Sequence, residues 1–383
     1  MTKDTGILVT GATGFIGGRV CERLVQAGFK NVRGLVHDFS HAPRVARLPI
    51  ELCQGDLMNP KSVKDALADC KIVFHLGLGP GPGIASGTRN LLKTAGDAHV
   101  ERFVHISTTS VYGLKPAANA ATEEARPRPT GNEYSDYKLA AERTVQYFIT
   151  RGLPAVILRP SIVIGPYSHW SIGVINQLRQ GNYQLIDEGN GLCNTTYVDN
   201  LVDAMLLAAQ KPEAVGQIFT ITDGERITWG DFVRAHARML GAELSFDTIS
   251  SIEVENHYKR QPGLMKASMK ASRKVLTGPQ LRILLKEIPV ADRIITWAWY
   301  RTQTMSEVEK DKLRRRLSGG GPALTSGMTT AIPDAAKVAI QSNDVFFSIE
   351  KARRLLGYSP RIQFAEAMQR TAEWLRFANF LGA

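Results

Sequence analysis

The sequence has few cysteines, no long apolar run and no strong compositional bias. Four of its 383 residues are cysteine, and none of them stands in a CxxC or other metal-ligand spacing. We therefore expect no metal centre and no disulfide scaffold, and isolated thiols suit a reducing compartment. No stretch approaches the roughly 20 apolar residues of a membrane-spanning helix. With 44% hydrophobic and 22% charged residues, the composition is that of an ordinary globular protein.

The opening residues and the length set two further expectations. Residues 1–4 are polar and contain no signal-peptide core, so we expect a cytoplasmic protein. A chain of 383 residues is long enough for one large domain or two medium ones, with a substantial buried core.

The positive charge is concentrated in one basic segment, residues 259–316. The formal net charge of the chain is +11, and this segment contains 15 Lys and Arg but 5 Asp and Glu. Its cations alternate with apolar residues such as Trp297 and Trp299. Two interpretations stay open: a helical cap with solvated charges, or a peripheral contact with an anionic membrane. We expect no nucleic-acid partner, because no recognition motif accompanies the charge.

Short apolar runs alternate with helix-like stretches through the first half of the chain. Continuous apolar runs separated by helices are typical of a parallel sheet covered on both faces. We therefore predict an α/β fold with a doubly wound parallel sheet. The predicted strands are 6–10, 32–36, 71–76, 102–106, 155–158 and 216–221.

Beyond about Thr228 the pattern becomes helical. Amphipathic spacing predicts helices at 229–240, 348–357 and 364–377. Between the first two lies the basic segment, followed by a glycine-rich loop, residues 318–333, which we expect to be mobile.

A glycine-rich turn follows the first predicted strand and precedes the first predicted helix. It reads Thr10-Gly11-Ala12-Thr13-Gly14-Phe15-Ile16-Gly17, with GxxGxxG spacing. Gly11 permits the tight turn, Gly14 lets a phosphate approach the backbone, and Gly17 lets the helix pack close to the sheet. Free N–H groups at the start of the helix can then bind the pyrophosphate of a dinucleotide.

Tyr134 and Lys138 form a second motif, YxxxK. Because they are four residues apart, the two side chains share one helix face. A nearby ammonium group favours the phenolate and lowers the pKa of tyrosine from its ordinary value of about 10. We therefore expect Tyr134 to donate or accept a proton near neutral pH.

Hydroxyl side chains follow the predicted strand 102–106. The run His105–Gly113 includes Ser107, Thr108 and Ser110. A hydroxyl here can bond the substrate oxygen while a hydride moves. The alternative is a Ser/Thr-rich strand end that caps a turn.

In their order along the chain, these motifs resemble the extended short-chain dehydrogenase/reductase superfamily. The resemblance covers residues 5–240 and 343–377. Three further segments agree with its pattern: Gly55-Asp56-Leu57, Leu158–Pro166 and Tyr197–Ala204.

This resemblance implies a catalytic role for three residues. Tyr134 exchanges the hydroxyl proton of the substrate, and Lys138 tunes Tyr134 and binds the nicotinamide ribose. Thr108 orients the substrate oxygen. Ser107 and Ser110 are the alternative hydroxyls.

The resemblance also implies where a nicotinamide dinucleotide binds. NAD enzymes place a carboxylate at the end of the second strand, but Val36 stands there and Asp38 follows two residues later. His37 and Arg44 can instead meet a 2′-phosphate, so the cofactor is NAD or NADP, with NADP favoured. The other expected contacts are Gly11, Thr13, Gly14, Phe15, Ile16, Gly17, Asp56, Leu57, Leu76, Gly77, Tyr134, Lys138, Pro160 and Ile162.

Within the superfamily, the residues favour the 3β-hydroxysteroid dehydrogenase-like branch, which segments 194–204 and 219–229 resemble. Dehydratases carry an Asp-Glu pair after the catalytic Thr, where this chain has Thr109-Ser110. Sugar-nucleotide epimerases usually carry an Asn where Ile162 stands. One departure from the family is the short loop 77–83, which suggests a different substrate entrance.

The resemblance therefore implies an NAD(P)-dependent oxidoreductase that interconverts a secondary alcohol and a ketone on a bulky, lipid-like substrate. The first alternative is a sugar-nucleotide 4-epimerase. The second is a non-catalytic NADP-sensing or nucleic-acid-binding relative, a kind of protein that usually loses the Tyr–Lys pair. The partner is then a small-molecule substrate, and the resemblance implies a homodimer.

Two domains follow from this alignment. The first is a dinucleotide-binding Rossmann domain, and the second is a smaller, mostly helical C-terminal substrate domain that includes the basic segment and the glycine-rich loop. The Rossmann domain takes 1–165 and about 194–222, and the substrate domain takes 166–193 and 223–383.

Overall fold

The computed structural model describes residues 1–77, 81, 83–181, 183–241, 246–260 and 332–381. Met1–Arg260 and Pro333–Ala383 form one compact unit. Almost all of the basic segment and of the glycine-rich loop lies outside the described residues, and so do the predictions made for them. The predicted boundary between a Rossmann and a substrate domain stays a prediction.

Eleven strands occur in the described residues. In chain order they are β1 (Ile7–Thr10), β2 (Val32–Val36), β3 (Glu51–Gln54), β4 (Ile72–His75), β5 (Arg102–Ile106), β6 (Ala155–Pro160), β7 (Ile162–Ile164), β8 (Gln184–Ile186), β9 (Thr195–Tyr197), β10 (Ile218–Ile221) and β11 (Asp247–Ile249).

The α-helices of the described ranges number twelve, besides several 3₁₀ turns. They are α1 (Phe15–Gln26), α2 (Pro43–Ala46), α3 (Pro60–Leu67), α4 (Gly83–Asp97), α5 (Glu133–Ile149), α6 (His169–Arg179), α7 (Val198–Gln210), α8 (Trp229–Met239), α9 (Ser251–Arg260), α10 (Ala335–Gln341), α11 (Glu350–Leu356) and α12 (Phe364–Phe377).

Seven parallel strands form the central sheet in the order β10-β6-β5-β4-β1-β2-β3. This confirms the predicted doubly wound parallel sheet, including the late strand β10 beside β6. The strand order reverses between β1 and β4, which pair in parallel. A crevice opens at such a switch point at the carboxyl ends of the strands, and ligands of doubly wound sheets bind there.

Each face of the sheet has its own apolar core, because successive residues of a strand point to opposite faces. Val9, Phe74 and Val104 cluster with residues of α1 and α7. Leu8 and Phe103 cluster on the other face with residues of α3, α4 and α5. The sheet is therefore covered on both sides, as its apolar runs predicted.

The C-terminal region is mostly helical, and α8, α11 and α12 agree with the three predicted helices. Thr228 caps α8, since its side chain accepts from the Asp231 N–H and the Asp231 carboxylate accepts from the Thr228 N–H. One short strand departs from the prediction: β11 pairs in parallel with β8. Its partner lies about sixty residues earlier in the chain, so helical periodicity could not reveal it. No helix in the described ranges is long and apolar enough to cross a membrane.

Candidate active site

At two positions of the glycine-rich turn, only glycine fits the backbone. Gly11 has φ +68°, in the left-handed region, and a Cβ there would lie 2.9 Å from the Gly77 nitrogen. A Cβ on Gly17 would lie 2.1 Å from the Gly11 carbonyl oxygen. Helix α1 therefore packs against the turn at backbone distance, as the spacing predicted.

The amino end of α1 is open towards the crevice. Gly14 is its N-cap, and no side chain of the described residues caps this end of the helix. The N–H groups of the first turn have no carbonyl four residues earlier within the helix. Gly14, Phe15, Ile16 and Gly17 line a cavity with these groups at its wall. Such a cradle fits the pyrophosphate of a dinucleotide.

This cavity has a volume of about 570 Å³ and lies where β1, β4, β5 and β6 end. All five predicted catalytic residues line it, together with eight of the predicted cofactor contacts besides Tyr134 and Lys138. The residues it brings together are Ser107, Thr108, Ser110, Tyr134, Lys138, Gly11, Gly14, Phe15, Ile16, Gly17, Leu76, Pro160 and Ile162.

The other predicted cofactor residues do not line this cavity: Thr13, His37, Arg44, Asp56, Leu57 and Gly77. Thr13 is half-buried, and His37 is exposed just after β2. The Asp56 carboxylate accepts from the Met58 N–H at 2.8 Å. Leu57 packs against Gly77, whose N–H donates to the Thr10 hydroxyl at 3.0 Å.

Arg44, the predicted ligand of a 2′-phosphate, is already bonded within the protein. Its Nε and Nη2 each lie 3.3 Å from a carboxylate oxygen of Glu22. Its Nη1 donates to the Phe15 carbonyl at 3.2 Å, and its guanidinium stacks on Tyr167 at 4.1 Å. A phosphate would therefore compete with Glu22 for this side chain.

Helix α5 holds the Tyr–Lys pair. The helix begins at Glu133 because the Asn132 side chain accepts from the Ser135 N–H at 3.0 Å. Tyr134 then stands in the first turn, 47% exposed as a residue, and it lines the cavity together with Thr108. Lys138 is buried and its Nζ donates to the Ile106 carbonyl.

The structure contradicts the prediction that Lys138 lowers the pKa of Tyr134. Burial raises the pKa of Tyr134 above its ordinary value, and the hydrogen bond with Thr108 opposes this rise only in part. The Lys138 ammonium group donates to the Ile106 carbonyl and does not contribute to the pKa shift of Tyr134. Burial lowers the pKa of Lys138 itself to about 8.

The three candidate hydroxyls have different partners. Ser107 is buried, and its hydroxyl donates to a carboxylate oxygen of Glu142 at 2.6 Å. Thr108 and Ser110 are half-buried, with their hydroxyl oxygens 3.1 Å apart, and Thr108 also meets Tyr134. The geometry therefore sets Thr108 beside the tyrosine and turns Ser107 away from it.

Sequence reasoning missed the buried polar groups behind the cavity. His75 and His105 are adjacent in the sheet register, and their rings lie 5.3 Å apart. Both are buried, and burial lowers the pKa of His75 to about 3. Glu142 and Arg159 form an ion pair nearby. The signal for Glu142 was available, since it stands four residues after Lys138.

The outer part of the cavity is mainly apolar and was also missed. It includes Leu114, Pro116, Trp170, Leu192 and Phe347. These residues come from distant parts of the chain, so no local pattern marks them. Among the described lining residues, Lys138 is the sole Lys or Arg.

Comparisons with known proteins show the family to which the chain belongs. A family model, NAD dependent epimerase/dehydratase family, matches residues 7–222. The chain is 29% identical over 275 residues to a 2-alkyl-3-oxoalkanoate reductase of Shewanella oneidensis, covering 65% of this chain and 68% of that protein. It is 28% identical over 299 residues to a decarboxylating sterol-4-alpha-carboxylate 3-dehydrogenase of Candida albicans, covering 67% and 85%.

The fold is also found in solved structures. A UDP-glucuronic acid 4-epimerase of Bacillus cereus in complex with NAD has a TM-score of 0.66 to this chain at 18% identity. The match covers 98% of this chain and 99% of the epimerase chain.

Fold and site together define a dinucleotide-binding protein of the doubly wound class. Since the family model spans more than half of the sequence, the chain belongs to the NAD-dependent epimerase/dehydratase family. Its cofactor is a nicotinamide dinucleotide. It is an enzyme of the dehydrogenase and reductase type, and the sterol dehydrogenase among its relatives agrees with the predicted 3β-hydroxysteroid dehydrogenase-like branch.

Proposed function

We propose that the protein interconverts a secondary alcohol and a ketone on a bulky, apolar substrate, with Tyr134, Lys138 and Thr108 as the catalytic residues. One observation carries the proposal. Thr108, Tyr134 and Lys138 line one cavity together with the dinucleotide cradle and with apolar side chains such as Leu114, Trp170 and Phe347.

Each residue has a distinct role at the substrate oxygen. The nicotinamide cofactor, when bound, supplies or accepts the hydride. Tyr134 donates its hydroxyl proton to the oxygen in reduction and takes a proton back in oxidation. Thr108 bonds the same oxygen and fixes its direction. The Lys138 ammonium provides positive charge in the cavity lining, which favours the developing oxyanion.

The walls of the cavity support a bulky apolar substrate. Leu114, Trp170 and Phe347 offer aliphatic and aromatic surface, which binds ligands of low polarity by excluding water. The relatives named above act, by name, on a 2-alkyl-3-oxoalkanoate and on a sterol carboxylate. Both names describe a ring or chain of carbon with an oxygen function at position 3.

A sugar-nucleotide epimerase is less well supported by the same walls. Such a substrate carries a second diphosphate, whose charge requires cationic or amide partners. Ile162 occupies the expected Asn position. The amide of Asn194 is engaged with Val345 and Phe347, at 2.9 and 3.1 Å. Lys138, the one described Lys or Arg in the lining, stands at the catalytic end.

The finer assignments of cofactor and location are also proposals. NADP is supported by the buried, apolar Val36 where an NAD enzyme has a carboxylate, and by the Asp38 side chain, which caps the turn at Ser40 instead. Release of Arg44 from Glu22 would provide a phosphate ligand. A cytoplasmic homodimer is also part of the proposal, on the resemblance. Membrane contact through the basic segment is one of the two interpretations of its charge pattern, beside a helical cap with solvated charges.

The direct test is turnover of ketones by the purified protein. We expect reduction of a 2-alkyl-3-oxoalkanoate or a 3-ketosteroid, followed by nicotinamide absorbance, with a lower KM for NADPH than for NADH. UDP-glucose is the substrate that tests the alternative, a sugar-nucleotide 4-epimerase. Denatured protein should release little trapped cofactor, because a dehydrogenase exchanges it in every cycle. Stoichiometric trapped NAD with epimerisation of UDP-glucose would overturn the proposal.

A further inference from the structure

Glu142 and Arg159 form an ion pair that is shut off from water. Their side chains are 0% and 1% exposed. The Arg159 Nε donates to one carboxylate oxygen of Glu142 at 3.0 Å, and Nη2 donates to the other. Two parallel bonds of this kind fix the direction of both side chains.

Stability alone is a poor reason for such a pair. Removing two charges from water costs solvation free energy that their attraction often fails to recover, and apolar replacements of similar volume are often neutral or stabilising. Each member of the pair is also close in the chain to a residue that lines the cavity: Arg159 precedes Pro160 on β6, and Glu142 follows Lys138 by one turn of α5. This position indicates a task at the active site.

The first contact with the active site is made through Ser107. The Ser107 hydroxyl donates to a carboxylate oxygen of Glu142 at 2.6 Å, and the Arg159 Nε donates to the same oxygen. A hydroxyl has one hydrogen, so Ser107 has none left for a substrate oxygen. Thr108, one residue later, lines the cavity together with Tyr134.

The second contact is through charge along α5. Tyr134, Lys138 and Glu142 are spaced four residues apart, so they lie along one face of the helix. Lys138 is buried and lines the cavity, and Glu142 is one helical turn further along α5. A buried ammonium loses hydration, and a carboxylate at this distance offsets the loss.

We propose that Glu142, held by Arg159, is a positioning residue of the active site: it occupies the Ser107 hydroxyl, so that Thr108 meets the substrate, and it keeps Lys138 an ammonium. This inference rests on the proposed function. It adds a pair of residues that touch neither substrate nor cofactor and act through Ser107 and Lys138.

Glu142 is the counter-charge of Lys138, because the other titratable groups described around Lys138 are neutral or already paired. From β4 and β5 it faces His75 and His105, and burial lowers the pKa of both well below 6.5, so these rings are neutral. Tyr134, on α5, is neutral because burial raises its pKa. Burial lowers the pKa of Lys138 to about 8, and Glu142 opposes this decrease. On β6, Arg159 is already paired with Glu142.

The test compares wild type with Glu142→Gln over pH 6 to 10. In the wild type we expect kcat to fall on the alkaline side with a pKa of about 8, as Lys138 loses its proton. In Glu142→Gln this limb should move to lower pH by about one unit or more, because the counter-charge is lost. A shift of one unit lowers the ammonium fraction of Lys138 at pH 7 from about nine-tenths to about one-half, so kcat at this pH should fall by about two-fold or more while KM changes little.

A second readout does not need turnover. Lysine labelled with ¹³C at Cε is titrated by NMR in the protein without substrate, and the resonance missing from Lys138→Arg identifies Lys138. We expect its titration near pH 8 in the wild type and at lower pH in Glu142→Gln.

Two further variants keep the test decisive. Glu142→Gln leaves Arg159 unpaired, so the double variant Glu142→Gln/Arg159→Gln removes both charges and serves if the single variant does not fold. Asp223→Asn is the matched control, since Asp223 is also a buried carboxylate (3% exposed) but lies outside the cavity lining. It should leave the pH profile and the Lys138 titration as in the wild type.

The outcomes separate this inference from the proposed function. If the wild type reduces ketones and the folded Glu142 variants keep its pH profile and its Lys138 titration, the inference is overturned and the function stands. If the titration moves as expected but no ketone is turned over, the charge role of Glu142 stands and the proposed function fails.

Discussion

At the scale of single residues, the site depends on which hydroxyl group is free to meet the substrate. Ser107, Thr108 and Ser110 stand within four residues of each other, and the sequence alone does not show which hydroxyl contacts the substrate. The structure separates them by their partners, since Ser107 donates to Glu142 and Thr108 meets Tyr134. Two predictions follow at this scale.

Replacement of Tyr134 by Phe removes the proton that reaches the substrate oxygen. We expect kcat for ketone reduction to fall by about 100-fold to 10,000-fold, the usual contribution of a general acid. Cofactor affinity, measured by fluorescence titration, should change little because the cradle is intact. Tyr147→Phe, on the same helix with an exposed side chain, is the control and should keep full activity. Equal turnover of the two variants would refute the role of Tyr134.

The hydroxyls themselves are compared by Thr108→Val and Ser107→Ala. We expect Thr108→Val to lower kcat by about 100-fold, because the bond that orients the substrate oxygen is lost. Ser107→Ala should lower it by less than about 10-fold, since that hydroxyl is bonded to Glu142. Steady-state kinetics at one pH measure both. The reverse order of effects would assign the substrate contact to Ser107.

At the scale of elements, the decisive contact is the approach of α1 to the turn that precedes it. A Cβ on Gly17 would lie 2.1 Å from the Gly11 carbonyl oxygen, which is backbone and cannot rotate away. Gly17→Ala should therefore push α1 from the sheet, lowering the free energy of unfolding by about 1–3 kcal/mol. Cofactor affinity should fall with it, because the cradle is displaced.

Gly96→Ala is the matched control for that prediction. Gly96 lies in α4, and a Cβ there meets no atom within 4 Å. Alanine has the higher helix propensity, so the free energy of unfolding should rise by about 0.5–1 kcal/mol. Urea denaturation measures both variants, and similar stability of the two would show that α1 can move at no cost.

At the scale of the whole molecule, three neutral histidines are buried in the core: His75, His105 and His236. Burial lowers the pKa of His75 to about 3 and that of His236 to about 4, and it lowers the pKa of His105 well below 6.5. The unfolded chain takes up protons at these groups below pH 6.5, whereas the folded protein does not.

Asp223 acts in the opposite direction, because burial raises its pKa to about 7 and the folded protein takes up a proton there. Since three histidines outweigh one carboxylate, stability should decrease as the pH falls from 6.5 towards 4. Each buried histidine adds up to about 1.4 kcal/mol per pH unit to the slope of the free energy of unfolding. Urea denaturation at several pH values measures this slope. His236→Leu should reduce the slope by the contribution of one histidine. His41→Gln, at an exposed position, should leave the slope unchanged. A free energy of unfolding that is flat over this range would contradict the burial of neutral histidines.

The sequence by itself determined what depends on near neighbours in the chain. Continuous apolar runs were enough for the parallel sheet, because a strand buried on both faces requires apolar residues at every position. The GxxGxxG turn and the four-residue spacing of Tyr134 and Lys138 were likewise readable, since their geometry is set within one turn and one helix. The family and its nicotinamide cofactor followed from these motifs in order.

Only the tertiary structure decided which of these groups meet and what charge they carry. Glu142 and Arg159 are seventeen residues apart, on a helix and a strand, and their pairing depends on how α5 packs on β6. The apolar outer wall gathers residues as distant as Leu114 and Phe347. The pKa of Tyr134 rises because burial outweighs the opposing effect of the Thr108 hydroxyl. Burial, distance and direction arise from packing between elements, which no local pattern of residues contains.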